Sequence, residues 1–411
     1  MNARLVAWHV LRETRVLTRR AVIRAARDAE LAPLDRALLG RILGAEARRR
    51  AALRAIAERF AERRLRPDVL SFAHVGLAQL LFLDDVPDHA AIGETVEAAR
   101  TQLGERPSAA VNGLLRRVQR EIRRGASGDS RRDVPLADIH FEQPIFADPG
   151  AHWLVWAEQA LSLPVSIGRR WRNRYGNDLA EQLARSSILP PDVSLFVPAE
   201  DLDAIRAELA SDVALRDSTH PRILLAPASA RAKILASGAV RRGDAVLAGE
   251  TAVRAAELLA ARPGERVLHL RAKSGAPQAS LARSGATIDT RAHVADPAET
   301  YDAVLVNAPN SATGILAAKP AARWRFDAAR TAALAAAQTA RLVEAAAAVR
   351  AGGRLVYATR SLEPDENQRR VRAFSSAHPA WSIQAEIASL PADRGADGPV
   401  DGGYAALLQR G

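Results

Sequence analysis

Any chemistry in this chain would centre on Asn307-Ala308-Pro309-Asn310-Ser311-Ala312-Thr313-Gly314, a small polar segment that follows the apolar run 303–306. In an open α/β sheet the ligand crevice lies off the carboxyl ends of the strands, so a loop in this position is placed to touch a substrate. It offers carboxamides, hydroxyls and a proline, and no thiol, imidazole or carboxylate. A carboxamide has no accessible pKa and a delocalised nitrogen lone pair, so neither Asn307 nor Asn310 can attack or shuttle a proton. Ser311 could attack only with an activating base, and none stands beside it in sequence.

Other reactive constellations are scarce. The 411 residues include no cysteine, which excludes disulfides, thiolate metal sites and thiol nucleophiles. His140, His152, His220 and His293 are scattered without metal-ligand spacing, and no glycine-rich phosphate loop ending in Lys-Ser or Lys-Thr occurs. No metal is expected. The net charge of +11 points to a polyanionic partner such as nucleic acid, or to arginine enrichment in a chain also rich in acids. Arg116, Arg117 and Arg120, with Arg123 and Arg124, form a basic run with few acids nearby, as a phosphate footprint would. Arg170 and Arg172 interleave with Trp171 and Tyr175, a mixture that suits base stacking or core packing alike. Hydrophobic runs are short and broken by charge, and the N-terminus turns arginine-rich before a secretory core could form. The expectation is a cytoplasmic protein without a membrane partner.

The elements that would carry these groups follow from periodicity. Apolar positions 70, 73, 77, 80 and 81, then 92, 96, 99 and 103, then 111, 114, 115, 118 and 122 keep helical spacing, and no strand-like alternation interrupts residues 1–125. This predicts an all-α bundle. The Gly/Ser-rich stretch opening 126–150 reads as a linker. Segment 151–235 reads as helices with Trp153 and Trp156, then a small α+β part with strands near 193–197 and 223–225 around a helix near 202–209. From 236 to 411 strands and helices alternate: helix 251–260, strands 266–270, 286–289 and 303–306, an alanine-rich helix 328–350 stopped at Gly352-Gly353, and strand 354–359. That alternation is the signature of a doubly wound sheet. Glu363, Asp365 and Glu366 are expected to open the helix continued by 369–374.

Several motifs together resemble the bacterial ribosomal RNA (cytosine-5)-methyltransferases of the RsmB/Sun type. They include Gly76-Leu77-Ala78-Gln79-Leu80, Val86-Pro87-Asp88-His89-Ala90 and Val111-Asn112-Gly113-Leu114-Leu115-Arg116 in the helical part. In the C-terminal part they include Asn307 to Gly314, Tyr357-Ala358-Thr359-Arg360-Ser361-Leu362, Pro364-Asp365-Glu366-Asn367 and Asp401-Gly402-Gly403-Tyr404. The resemblance implies a NusB-like RNA-binding bundle followed by a Rossmann-like, S-adenosylmethionine-dependent methyltransferase domain. It implies that S-adenosylmethionine is the cofactor and ribosomal RNA the partner. It also implies that Asn310 and Arg360 occupy the positions of the family's two catalytic cysteines, and that Asn307 replaces an aspartate that contacts the base.

Against that pattern the cofactor loop is degenerate: in 269–277 only Gly275 keeps the expected type, and Pro277 lacks an N–H. Asp289, about twenty residues past the first strand, suits a ribose hydroxyl acceptor or a turn cap equally. The eleven residues between Asp289 and Tyr301 cannot hold a helix, a strand and a second helix, so the fold should be shortened by its third strand. A guanidinium at 360 cannot attack a base but suits a phosphate. The reading is an RNA-binding pseudoenzyme. The alternatives are a methyltransferase with cysteine-independent chemistry, in which Asn307-Ala308-Pro309-Asn310 accepts from a base amine, and a NusB-like interaction module in transcription or ribosome assembly.

Overall fold

A computed structural model describes residues 2–13, 17–198, 200, 202–271, 276–294, 296, 298–391 and 401–411. The chain divides into two compact units, Met1–Leu189 and Pro190–Gly411. The expected boundaries at 125/126, 150/151 and 235/236 do not coincide with this division.

The first unit runs α1 (Ala3–Glu13), α2 (Arg19–Asp28), α3 (Pro33–Phe60), α4 (Pro67–Phe82), α5 (Asp88–Leu103), α6 (Glu105–Glu121), β1 (Ile122–Arg124), β2 (Ile139–Phe141), α7 (Pro149–Leu161) and α8 (Val165–Ser187). The expected apolar stripes lie on α4, α5 and α6. Val75 of α4 joins Ala3, Val6, Leu39, Ile42 and Leu43 in one core cluster. Gly76 lets α4 and α6 approach, since a Cβ there would sit 2.5 Å from Leu115 Cδ1.

Ile122, expected to end a helix, starts β1, which pairs antiparallel with β2 through Ile122↔Phe141. Residues 126–150 are therefore no free linker: Phe141, Ile145 and Phe146 are buried, and Trp156 Nε1 donates to Ser130 O at 3.0 Å. The glycine and serine residues mark turns, whereas the aromatics after them supply enough apolar surface to anchor the segment. Trp171 is likewise buried at 2% exposure, so at that position core packing prevails over base stacking.

The second unit opens with β3 (Val193–Phe196), α9 (Leu202–Ala210), β4 (Arg216–Asp217), β5 (Ile223–Ala226), α10 (Arg231–Ala236), α11 (Gly238–Arg242) and β6 (Val246–Leu247). These strands form a small antiparallel sheet in the order β4-β5-β3-β6. There follow α12 (Glu250–Leu258), β7 (Arg266–Arg271), α13 (Ala276–Ala282), β8 (Thr287–Arg291), β9 (Tyr301–Asn307), α14 (Ala328–Ala347), β10 (Val349–Thr359), α15 (Gln368–Ala377), β11 (Trp381–Ser389) and β12 (Gly403–Arg410).

The large sheet has the order β11-β12-β10-β9-β7-β8, parallel from β8 to β10 and antiparallel through β12 and β11. Alternate residues of each strand feed opposite faces. Leu268, Val304, Val306, Leu355 and Tyr357 pack with Leu342, Val371 and Phe374 on the side of α14 and α15. Val267, Ala303, Leu305 and Val356 pack with Ala255, Leu259 and Leu281 on the side of α12 and α13. β8 is the edge strand, and no strand lies among the described residues between Arg291 and Tyr301, as the short spacing requires. The helix stop expected at Gly352-Gly353 falls earlier. α14 ends at Ala347, and Gly352, at φ +67°, sits in the irregular stretch of β10 between Val349 and Arg354.

Candidate functional site

β9 and β10 run parallel with Asn307 opposite Ala358, so their carboxyl ends deliver Asn307 and Arg360 to one edge of the sheet. The chain turns away from β9 through Ala308, whose N–H donates to Ala358 O at 3.0 Å. Asn310 then folds onto its own loop: Nδ2 donates to Ala308 O at 2.8 Å and Oδ1 accepts from Ala312 N at 3.0 Å. This amide braces a turn; it does not face outward as a reacting group. Asn307 Nδ2 lies 2.9 Å from Nε2 of fully buried His269 on the neighbouring strand β7.

Behind this edge lies a hydroxyl and carboxylate network that the sequence did not reveal. Ser311 donates its backbone N–H and its Oγ–H to Glu366 Oε2, each at 3.0 Å. Ser311 Oγ also lies 3.1 Å from Ser361 Oγ, which accepts from Glu363 N at 3.0 Å. Thr313 Oγ1 accepts from Leu362 N at 2.9 Å, and Thr359 Oγ1 donates to Asn367 Oδ1 at 2.6 Å. Glu366 does not open α15, as expected from its type, but sits buried at 1% exposure. Burial pushes its carboxyl above the usual range, and the donors from Ser311 and Ser361 only partly oppose that. Ser311 thus has a carboxylate partner, contrary to the sequence-based expectation. Both are shut away from solvent, with no imidazole in their hydrogen-bond network.

Glycines allow the two loops to interlock. Gly314 N donates to Arg360 O at 3.1 Å, Gly402 N donates to Gly314 O at 2.7 Å, and a Cβ on Gly314 would lie 2.3 Å from Gly402 O. The backbone of Arg360 is held in this lock while its half-buried side chain makes no ion pair or hydrogen bond with the described residues. Lys319 follows in the same loop. Its side chain is exposed, but partial desolvation of the ammonium, then the nearby charges of Arg360 and Arg325, hold it below the usual lysine range.

Of the expected cofactor residues, Asp289 and Asn307 are each engaged by neighbouring side chains. Gly275 lies outside the described residues. Asp289 lies within β8, one strand beyond β7, and its Oδ2 accepts from Tyr301 OH at 2.9 Å and from Arg291 Nη2 at 3.2 Å. Arg266 Nη2 is 3.7 Å away and also pairs with Glu299 at 2.8 Å, so this carboxylate is committed to a structural ion cluster. Asn307 is engaged by His269 as well. No group of three His, Cys, Asp or Glu among the described residues could hold a metal ion.

In the helical unit Arg116 and Arg120 are exposed on α6, with Arg116 bonded to Gln119 at 3.1 Å. Arg117 is pinned by Phe60 O and Glu62, both at 3.0 Å, and is the least available of the three. Arg170 is exposed on α8 and Arg172 half-buried. No described helix is long and apolar enough to cross a membrane.

Residues 278–395 match the family described as 16S rRNA methyltransferase RsmB/F, and residues 1–120 match the NusB family. A ribosomal RNA small subunit methyltransferase B of Xanthomonas campestris is 30% identical over 385 residues, spanning 86% of this chain and 83% of that protein. A probable ribosomal RNA small subunit methyltransferase B of Bacillus subtilis is 28% identical over 357 residues, spanning 77% and 74%. Among solved structures, that of PH0851 superposes with a TM-score of 0.73 at 17% identity, covering 100% of this chain and 99% of that one. A methyltransferase homolog protein from Pyrococcus horikoshii superposes with a TM-score of 0.53 at 14% identity, covering 63% of this chain and 99% of that one. At these identities the structural likeness speaks for the fold.

Proposed function

We propose that this chain, which belongs to the 16S rRNA methyltransferase RsmB/F family, binds ribosomal RNA on that family's scaffold without cysteine-dependent methyl transfer to cytosine. One observation carries the reading: the two positions where the family resemblance expects thiols hold Asn310, folded onto its own loop, and Arg360, a permanent cation. Covalent addition to a pyrimidine needs a group that attacks carbon 6 and later leaves, and no residue of this chain is a thiol. Ser311 does not substitute, because its hydroxyl is buried against Glu366 and Ser361.

What the chain keeps supports binding. Arg116 and Arg120 lie four residues apart on α6, exposed, and so share a face that can neutralise successive phosphates. The absence of any described strand beyond β8 and the engaged carboxylate of Asp289 both argue against a cofactor-loaded state. No methyl-transfer step is therefore assigned to these residues.

The test is made on the full chain. Binding to 16S ribosomal RNA should weaken steeply with salt, calorimetry against S-adenosylmethionine should give no micromolar binding, and treated RNA should contain no new 5-methylcytosine. Transfer of labelled methyl groups to RNA by the purified protein would overturn the proposal.

A further inference from the structure

Most arginines described in the second unit answer to a carboxylate or a carbonyl. Arg216 pairs with Asp192, Arg254 with Glu250, Arg354 with Glu265 at 2.6 Å, and Arg369 with Asp365 at 2.8 Å. Four basic residues around the β9–β10 edge break that rule. Lys319, Arg325, Arg330 and Arg360 have no ion pair within 4 Å among the described residues. Arg325 Nε is buried with no acceptor. Burial, and then the charge of Arg330, depress Arg325, while Arg360 and Arg325 together depress Lys319. Like charges have been gathered, partly desolvated, with no counter-ion within 4 Å among the described residues, an arrangement that costs stability unless an anion joins it.

Among the described residues, the acids facing this cluster make no ion pair with it. Glu366 is turned into the Ser311 network, and Asp401, whose Oδ1 accepts from Thr251 N at 3.4 Å, is pushed up by burial despite the charge of Arg360. Asp327 caps α14 by accepting from Arg330 N at 2.7 Å. The backbone of Arg360 is held by the Gly314 and Gly402 lock described above.

We propose that Arg360, Lys319 and Arg325 form a seat for a phosphodiester group of single-stranded RNA, so that the edge meant for a reacting base grips the backbone instead. This rests on the RNA-binding reading given above. Donors drawn from two segments, Lys319 and Arg325 on the turn 319–325 and Arg360 at the end of β10, suit the tetrahedral oxygens of a phosphate better than the planar pair of one carboxylate. A strand of RNA repeats that group at every nucleotide.

The experiment follows anisotropy of a fluorescein-labelled oligouridylate of about a dozen nucleotides while potassium chloride rises from about fifty to three hundred millimolar. Removing one phosphate contact should make the log–log salt slope shallower by about 0.7 in Arg360→Gln, whereas Arg360→Lys should keep it. Among the described residues the Arg360 side chain makes no hydrogen bond or ion pair, so the melting temperatures of both variants should stay at or above that of the unmodified chain. Arg116→Gln combined with Arg120→Gln separates the two claims. If that pair flattens the slope and Arg360→Gln leaves it unchanged, RNA binding stands and the seat is refuted. If the unmodified chain shows no salt-dependent binding, the RNA reading falls and the seat with it. Titration with inorganic pyrophosphate covers the remaining source: heat that vanishes in Arg360→Gln beside an unchanged RNA slope assigns the cluster to a free anion and also refutes the seat.

Discussion

Ser311 and Glu366, 55 residues apart in sequence, are joined by two hydrogen bonds into the same carboxylate oxygen, from the backbone N–H and from Oγ, each at 3.0 Å. This pair ties the loop after β9 to the segment before α15, and Tyr357 OH, donating to Glu366 O at 2.8 Å, ties both to β10. Glu366→Ala strips the acceptor from a buried N–H and should cost about 1–3 kcal/mol, read as a lower denaturation midpoint at unchanged slope.

The same carboxylate makes a pH prediction. Its folded pKa is raised by burial, so its contribution is fully present below the ordinary glutamate value of about 4.3 and is lost as pH rises through the folded value. Glu366→Gln removes that loss. Relative to the unmodified chain it should gain stability as pH climbs from about 4.3 to the folded value, and no more above it. Parallel stability curves for the two proteins would show that Glu366 does not titrate with folding.

Glu46 in the helical unit has the opposite sign. Burial alone would raise it, but His74 at 3.2 Å and Arg50 at 2.8 Å bring it to about 2. A depressed carboxyl contributes stability above its unfolded pKa and loses it as pH falls through the folded one. The chain should therefore weaken between about pH 5 and pH 2, and Glu46→Gln should flatten that limb of the curve. Acid denaturation profiles of the two proteins check this.

Gly314→Ala would place a methyl group 2.3 Å from Gly402 O and 3.2 Å from Arg360 O, both backbone atoms. Neither can swing aside as a flexible side chain would. The expected loss is about 1–3 kcal/mol, measured by chemical denaturation.

Restoring sulfur alone should not restore chemistry. The double variant Asn310→Cys with Arg360→Cys supplies both thiols but leaves Asp289 bound to Tyr301 and Arg291 and β8 at the sheet edge. No label should pass from methyl-tritiated S-adenosylmethionine to RNA. Incorporation above background would mean that the cofactor side of the site is intact.

Much of this molecule is legible in its residues alone. Helical spacing at positions 70–118 and the apolar runs at 266–270 and 303–306 are local properties, and α4, α5, α6, β7 and β9 lie where they predict. The missing thiols and the eleven residues that leave no room for a further strand are matters of composition and chain length, which no packing can alter. Tertiary structure decided the rest, because it depends on which distant segments meet. Nothing near Glu366 in sequence says that it will sit beneath Ser311, so an acid before a helix reads as a helix opener until the fold buries it. Asp289 reads as a free acceptor until β8 and β9 bring Tyr301 to it. Lys319, Arg325 and Arg360 are three ordinary surface charges in the sequence. Only the parallel pairing of β9 with β10, and the glycine lock between their loops, sets them around one edge with no ion pair among the described residues.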